Sequence, residues 1–262
     1  METLKGRWAL ILGASSGFGE AASLELARQG MNICGVHLDR RATLENADRI
    51  VGEIRKSGSK ALFFNVNAAD EIKRVEVLDG LQKELSGAPV HLLFHSLAFG
   101  TLKPYLAPEP QDRITKAQME MTLDVMAHSL VYWVQDLWAR KLLAKGSRIF
   151  SMTSAGSTRA WATYGAVSAA KAALESHTRQ LALEFAPQGI MVNCLRAGVT
   201  DTPSLRKIPG NEKMVQDVID RAPAHRLTTP QDVARVLAAL AVPGIEWLTG
   251  NVLGADGGEL LV

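Results

Sequence analysis

Short runs of aliphatic and β-branched residues recur along this chain without polar alternation, so each has to be covered on both faces. They are WALIL (8–12), NICGV (32–36), ALFF (61–64), HLLF (91–94), RIFSM (148–152) and MVNCL (191–195), and they read as buried strands. Helical spacing fills the gaps, in Leu44, Ala47, Ile50, Val51 and Ile54, and again in Ile72, Val75, Leu78, Leu81 and Leu85. NVLGADGG (251–258) supplies a last strand. This alternation predicts an α/β fold, a single doubly wound parallel sheet with helices on both faces. No linker or repeat interrupts it, so residues 1–262 are expected to form one domain.

Composition narrows the class. The chain is 47% hydrophobic and 21% charged, with a net charge of +2. That is ordinary for a soluble globular protein and too weakly basic for a nucleic-acid partner. Cys34 and Cys194 each sit in an apolar run and read as buried free thiols of a reducing compartment. METLKGRWALILG lacks the apolar core and cleavage site of a signal peptide. No run is long enough to span a membrane. A cytoplasmic protein is expected. The six histidines and two cysteines form no ligand-spaced cluster, so no metal site is expected.

Two proline-bearing stretches break the rhythm, residues 98–116 after the fourth strand and 198–212 after the sixth. Ligands of an open parallel sheet sit beyond the carboxyl ends of its strands, so these are candidate substrate loops. Directly after the first strand comes GASSGFG, with Gly13, Gly17 and Gly19. Glycines at such a turn let backbone approach a pyrophosphate, which the next helix N-terminus stabilises. Farther on, YGAVSAAK places Tyr164 seven residues before Lys171, with Val167 at the position four before it. A tyrosine at that nearer position would share a helix face with the lysine. Tyr164 would instead lie two turns away, roughly 10.5 Å along the axis.

Taken together, GASSGFG, Asn65–Val66, Ser154, VSAAKAAL, VNCLRAG and TGNVLGADGG resemble the short-chain dehydrogenase/reductase family along essentially the whole chain. The resemblance implies a Rossmann-like domain, a nicotinamide cofactor and a homotetramer. It assigns to the cofactor Gly13, Ser15, Ser16, Gly17, Phe18 and Gly19 of the first turn, His37, Arg40 and Arg41, then Asn65 and Val66. Ser96, Leu97, Ala98, Lys171, Gly198, Val199, Thr200 and Thr202 complete that set. The departures are Val167 at the family's usual tyrosine position, HSLAFG after strand 4, Ala197–Gly198 after strand 6, and Met126 where many members carry a catalytic asparagine.

As a set, these departures are similar to the enoyl-acyl-carrier-protein reductases, which use Tyr-x6-Lys. SAGSTRAWATYGAVSAAKAALE and the ending DGGELLV look most like the divergent, NADPH-dependent Bacillus-type branch. A displaced tyrosine has a chemical reason. Reduction of a conjugated enoyl thioester puts hydride on the β-carbon and negative charge on the distant thioester oxygen. The acid that stabilises it should sit farther from the cofactor than in a ketone reductase. The resemblance thus implies Tyr164 as oxyanion donor, Lys171 on the nicotinamide ribose, and Ser154 as a group that positions substrate or Tyr164, or else forms a turn. His95 reads either as a structural histidine or as a general base. The substrate would be an enoyl-acyl carrier protein or enoyl-coenzyme A, entering beside residues 198–222.

Cofactor choice rests on VHLDRRAT. His37 occupies the position where relatives that use NAD carry an aspartate for the adenosine ribose. Arg40 and Arg41 suit a 2′-phosphate, so NADPH is expected. Asp39, turned inward, would favour NADH. Two rival functions stay open: a carbonyl, 3-ketoacyl or steroid reductase of the same fold, and a dinucleotide-binding sensor without turnover.

Overall fold

The computed structural model describes residues 3–262. Seven strands form one parallel sheet: β1 (Trp8–Leu12), β2 (Asn32–His37), β3 (Ala61–Asn65), β4 (Val90–His95), β5 (Arg148–Ser154), β6 (Met191–Ala197) and β7 (Val252–Ala255). Their spatial order is β3-β2-β1-β4-β5-β6-β7. Between them run α1 (Gly17–Arg28), α2 (Leu44–Lys56), α3 (Glu71–Leu85), α4 (Lys116–Leu123), α5 (Ser129–Ala139), α6 (Gly165–Phe185), α7 (Asn211–Arg221) and α8 (Pro230–Ala241).

Both faces of the sheet are covered, as unbroken apolar strands require. Leu10, Leu12 and Val36 point into one core with Val77, Leu81, Leu130, Trp133 and Leu174 from α3, α5 and α6. Ala9, Ile11 and Ile33 point into the other, with Leu26, Ile50, Ile54 and Leu237 from α1, α2 and α8. Side chains of successive strand residues face opposite ways, so one strand feeds both cores.

Several strands run farther than their apolar stretches suggest. β2, β3, β4 and β5 end on His37, Asn65, His95 and Ser154, polar residues paired in register with their neighbours. These ends lie on the carboxyl edge. There β1 separates β2 from β4, and the chain direction across the sheet reverses. Ligand crevices of such sheets open at that reversal. Residues 98–115 are irregular apart from a short 3-10 turn at Pro110–Asp112. α4 then starts with a capping box between Thr115 and Gln118. A π-helical turn, Asp124–His128, joins α4 to α5 and carries Met126. No helix among the described residues is long and apolar enough to cross a membrane.

Candidate active site

β1 leads directly into Gly13, whose φ of +90° suits glycine. The Gly13 and Ala14 amides donate to Val36 O at 2.8 and 3.0 Å, fastening the turn to β2. A Cβ on Gly13 would stand 2.6 Å from Ser96 O, and one on Gly19 would overlap Gly13 O. Here the glycines admit backbone against backbone. α1 begins at Gly17, and the side chain of its N-cap residue, Ser16, makes no capping bond. The first-turn amides therefore face the crevice without a side-chain acceptor, and the helix dipole adds positive potential there. That donor set fits a pyrophosphate. Thr202 reaches over it, its Cγ2 3.5 Å from where a Gly17 Cβ would be.

On the β2 side, His37 Nδ1 lies 2.7 Å from Asp39 Oδ2. Burial would raise the Asp39 carboxyl, but bonds from Ser15, Thr43 and His37 outweigh it and hold the group below the usual carboxylate range. Asp39 is thus turned inward and ionised beside the glycine turn. Asn65 spends its side chain on the Asp39 backbone, accepting from Asp39 N at 2.8 Å and donating to Asp39 O at 3.0 Å. The Val66 amide donates to His37 O at 2.8 Å. Asn65 and Val66 therefore shape the loop after β2. Arg40 and Arg41 are exposed and pair with no side chain among the described residues. Ser96 N donates to Leu12 O at 2.9 Å, Leu97 packs on the core, and Ala98 is exposed.

Ser154 ends β5 and accepts from Gly156 N at 3.2 Å, capping a 3-10 turn over Ala155–Ser157. Tyr164 is not inside the helix that carries Lys171. It is the N-cap of α6, with φ −89° and ψ 1°, so a measured rise along one helix does not describe its offset from Lys171. Its ring packs on Gly156, where a Cβ would meet Tyr164 Cε1 at 2.6 Å. Burial pushes the Tyr164 hydroxyl above its ordinary value, and a hydrogen bond with Ser154 partly offsets this. The phenol stays protonated at neutral pH, as a donor must. Ser154 thus both forms the turn and meets Tyr164. The preceding residue, Thr163, has φ +63°, which a β-branched side chain adopts only under constraint.

Lys171 is buried in α6 and donates to Met152 O at 2.6 Å. Desolvation lowers its pKa to about 8, against the raising influence of Cys194 and Glu175. His95 is fully buried. Ser129 Oγ donates to Val125 O, so it accepts from His95 Nε2–H at 2.8 Å, which leaves Nδ1 the bare nitrogen and without a partner. Burial first, then the Lys171 charge, lowers the His95 pKa to about 3. A base that weak does not cycle protons near neutrality, which leaves the structural role.

Val167 and Met126, the two departures at catalytic positions, are buried together. A Cβ on Gly100 would stand 3.0 Å from both Met126 Sδ and Val167 Cγ2. Two neighbours of the site are weakly marked in the sequence or not at all. The Tyr105 ring, from the irregular stretch after β4, lies across Gly165 beside Tyr164. Glu259, from the last turn of the chain, accepts from Val199 N at 2.7 Å. Only a lone acid inside the apolar ending ELLV hints at it. Gly198 lies between Glu259 and Thr228, and Thr200 Oγ1 donates to Gly198 O at 2.9 Å. Among the described residues no group of three or more His, Cys, Asp or Glu is placed to hold a metal ion.

A family model described as enoyl-(acyl carrier protein) reductase matches residues 13–259. The chain is 34% identical over 260 residues to 1-cyclohexenylcarbonyl-CoA reductase of Streptomyces collinus, covering 97% of this chain and 86% of that one. It is 29% identical to tetrahydroxynaphthalene reductase of Pyricularia oryzae, over 99% of this chain and 91% of that one. Among solved structures, a short-chain dehydrogenase from Burkholderia cenocepacia in complex with NADP superposes with a TM-score of 0.83 at 26% identity. That match covers 99% of this chain and all of the other. The seven-stranded parallel sheet with helices on both faces agrees with these likenesses: the protein is an oxidoreductase and belongs to the short-chain dehydrogenase/reductase family.

Proposed function

We propose that the protein is an NADPH-dependent reductase of trans-2-enoyl thioesters, an enoyl-acyl-carrier-protein reductase of the divergent Bacillus-type branch. Bound NADPH supplies the hydride for the β-carbon. The observation that carries the reading is the division of labour along α6. Val167 is packed into an apolar cluster, while among the described residues the phenol that meets Ser154 belongs to Tyr164. Tyr164 donates its hydroxyl proton in a hydrogen bond to the thioester oxygen as charge builds there, in a site where burial strengthens the bond. Ser154 holds the phenol in place. Lys171, still charged at neutral pH, keeps the local field positive and takes the ribose hydroxyls.

The cofactor is held by the uncapped start of α1, by the turn Gly13–Gly19 and by backbone of Ser96–Ala98 and Gly198–Thr202. Arg40 and Arg41 take the 2′-phosphate, both side chains being exposed and paired with no other side chain among the described residues. The inward Asp39 is the feature on the side of NADH. Residues 198–222 form the substrate loop of a single domain, working as a homotetramer in the cytoplasm on carrier-protein or coenzyme A thioesters. The name of the Streptomyces relative, a cyclohexenylcarbonyl-CoA reductase, supports an unsaturated thioester. Ketone reduction is the second reading, favoured by relatives such as tetrahydroxynaphthalene reductase.

One assay separates them: oxidation of NADPH, and of NADH, with a medium-chain enoyl thioester beside the matching 3-ketoacyl thioester. Turnover of the enoyl substrate with NADPH is expected. Turnover of the keto substrate alone overturns the proposal, and nucleotide binding with neither turnover leaves the sensor.

A further inference from the structure

The segment Gly198–Thr202, which the proposed function places against the cofactor, has no regular structure of its own. Its backbone is held from two sides. Thr228 N donates to Val199 O at 3.2 Å, and Thr200 and Thr228 form an isolated parallel bridge. From the other side, Val199 N donates to Glu259 Oε2 at 2.7 Å. Gly198 is enclosed between the two. A Cβ there would collide with Glu259 Oε2 and stand 2.5 Å from Thr228 Oγ1. Glu259 reaches this point because Gly257 and Gly258 both take positive φ, +62° and +83°. Two bonds within the turn tighten it, Gly258 N to Asp256 Oδ1 at 3.0 Å and Glu259 N to Asp256 O at 3.1 Å.

We propose that Glu259 is a positioning residue: its carboxylate fixes the backbone of Gly198–Thr200 and thereby sets the affinity for NADPH. The proposal rests on the reading that this segment holds the cofactor. A backbone amide at a partly buried loop needs an acceptor, and a carboxylate is a stronger one than a neutral group. The charges around Glu259 come from two other elements and from its own turn. Arg159 follows the Ser154 turn, Arg221 ends α7, and both favour the ionised form, while Asp256 opposes it. Asp256 in turn lies 4.0 Å from Arg196 of β6. Burial is the dominant influence and raises the Glu259 carboxyl above its ordinary range. Ionisation is therefore lost earlier on acidification than for an exposed glutamate.

The test is equilibrium binding of NADPH to the full chain, without substrate, for the unmodified protein, Glu259→Ala and Glu259→Gln, with melting temperatures alongside. Glu259→Ala is expected to weaken binding about tenfold, the scale of one charge-assisted hydrogen bond. Glu259→Gln keeps only a neutral acceptor and should recover part of that loss. Binding by the unmodified protein should also weaken on acidification, beginning above the ordinary carboxylate range. Glu259→Gln should lack that phase, and comparing the two profiles cancels titration of the ligand's own phosphate. A lowered melting temperature in Glu259→Ala with unchanged NADPH affinity overturns the proposal and leaves a structural role. Should Glu259→Ala not fold, a Glu259→Gln profile identical to that of the unmodified protein overturns it as well. Failure of the unmodified protein to bind NADPH overturns the cofactor reading itself, a distinguishable result.

Discussion

Tyr164 is fixed by three local features: the Gly156 surface under its ring, the Ser154 hydroxyl beside it and the strained Thr163 before it. Replacement by Phe keeps the packing and removes only the donor. Tyr164→Phe should therefore lower kcat by roughly 10²-fold or more, the scale for one lost oxyanion donor, while NADPH affinity holds. Full turnover by this variant in steady-state assays would place the chemistry elsewhere. Val167 offers the converse test. A Tyr ring at this position would have to fit a cluster already closed by Gly100, Met126 and Thr122, and overpacking costs about 1–3 kcal/mol. Val167→Tyr should lose stability and enoyl turnover together, without gaining 3-ketoacyl reduction. Gain of that activity with enoyl turnover intact would contradict the displaced-tyrosine account. Tyr164 and Lys171 stand out as candidates from their spacing. The strain at Thr163 does not, because positive φ at a threonine leaves no compositional trace.

The elements were legible because strands covered on both faces are apolar along most of their length. Their ends were read short, since His37, Asn65, His95 and Ser154 are polar yet continue the ladder. Those same polar ends line the candidate site, so pattern reading falters where function is expected. Two helical glycines show how packing decides the sign of one substitution. Gly19 in α1 would drive a Cβ into Gly13 O, whereas a Cβ on Gly52 in α2 would meet nothing within 4 Å. Gly19→Ala should cost roughly 1–3 kcal/mol in denaturant unfolding and weaken nucleotide binding. Gly52→Ala should stabilise by about 0.5–1 kcal/mol with no effect on binding. Equal effects of the two would show that α1 does not depend on that close approach.

Across the whole molecule, stability carries a cost at Lys171. Its pKa falls from 10.5 to about 8 on folding, so between these values the unfolded chain binds more protons than the folded one. Stability then rises with pH through that window, and the cost is fully present below about pH 8. Lys171→Met has no such term. Denaturant unfolding of the two proteins should converge or cross between pH 8 and 10.5, by up to roughly 3 kcal/mol in favour of the unmodified chain. A pH-independent difference would mean that folding leaves the pKa of Lys171 at its ordinary value. The strand order also has a meaning in time. As the chain leaves the ribosome, β1, β2 and β3 are available to pair first, but Gly13 waits for Ser96, and Val199 waits for Glu259. One wall of the crevice is thus complete well before the opposite wall is synthesised. A chain released early would carry an apolar β1 edge still lacking β4, a target for quality control rather than a half-working enzyme.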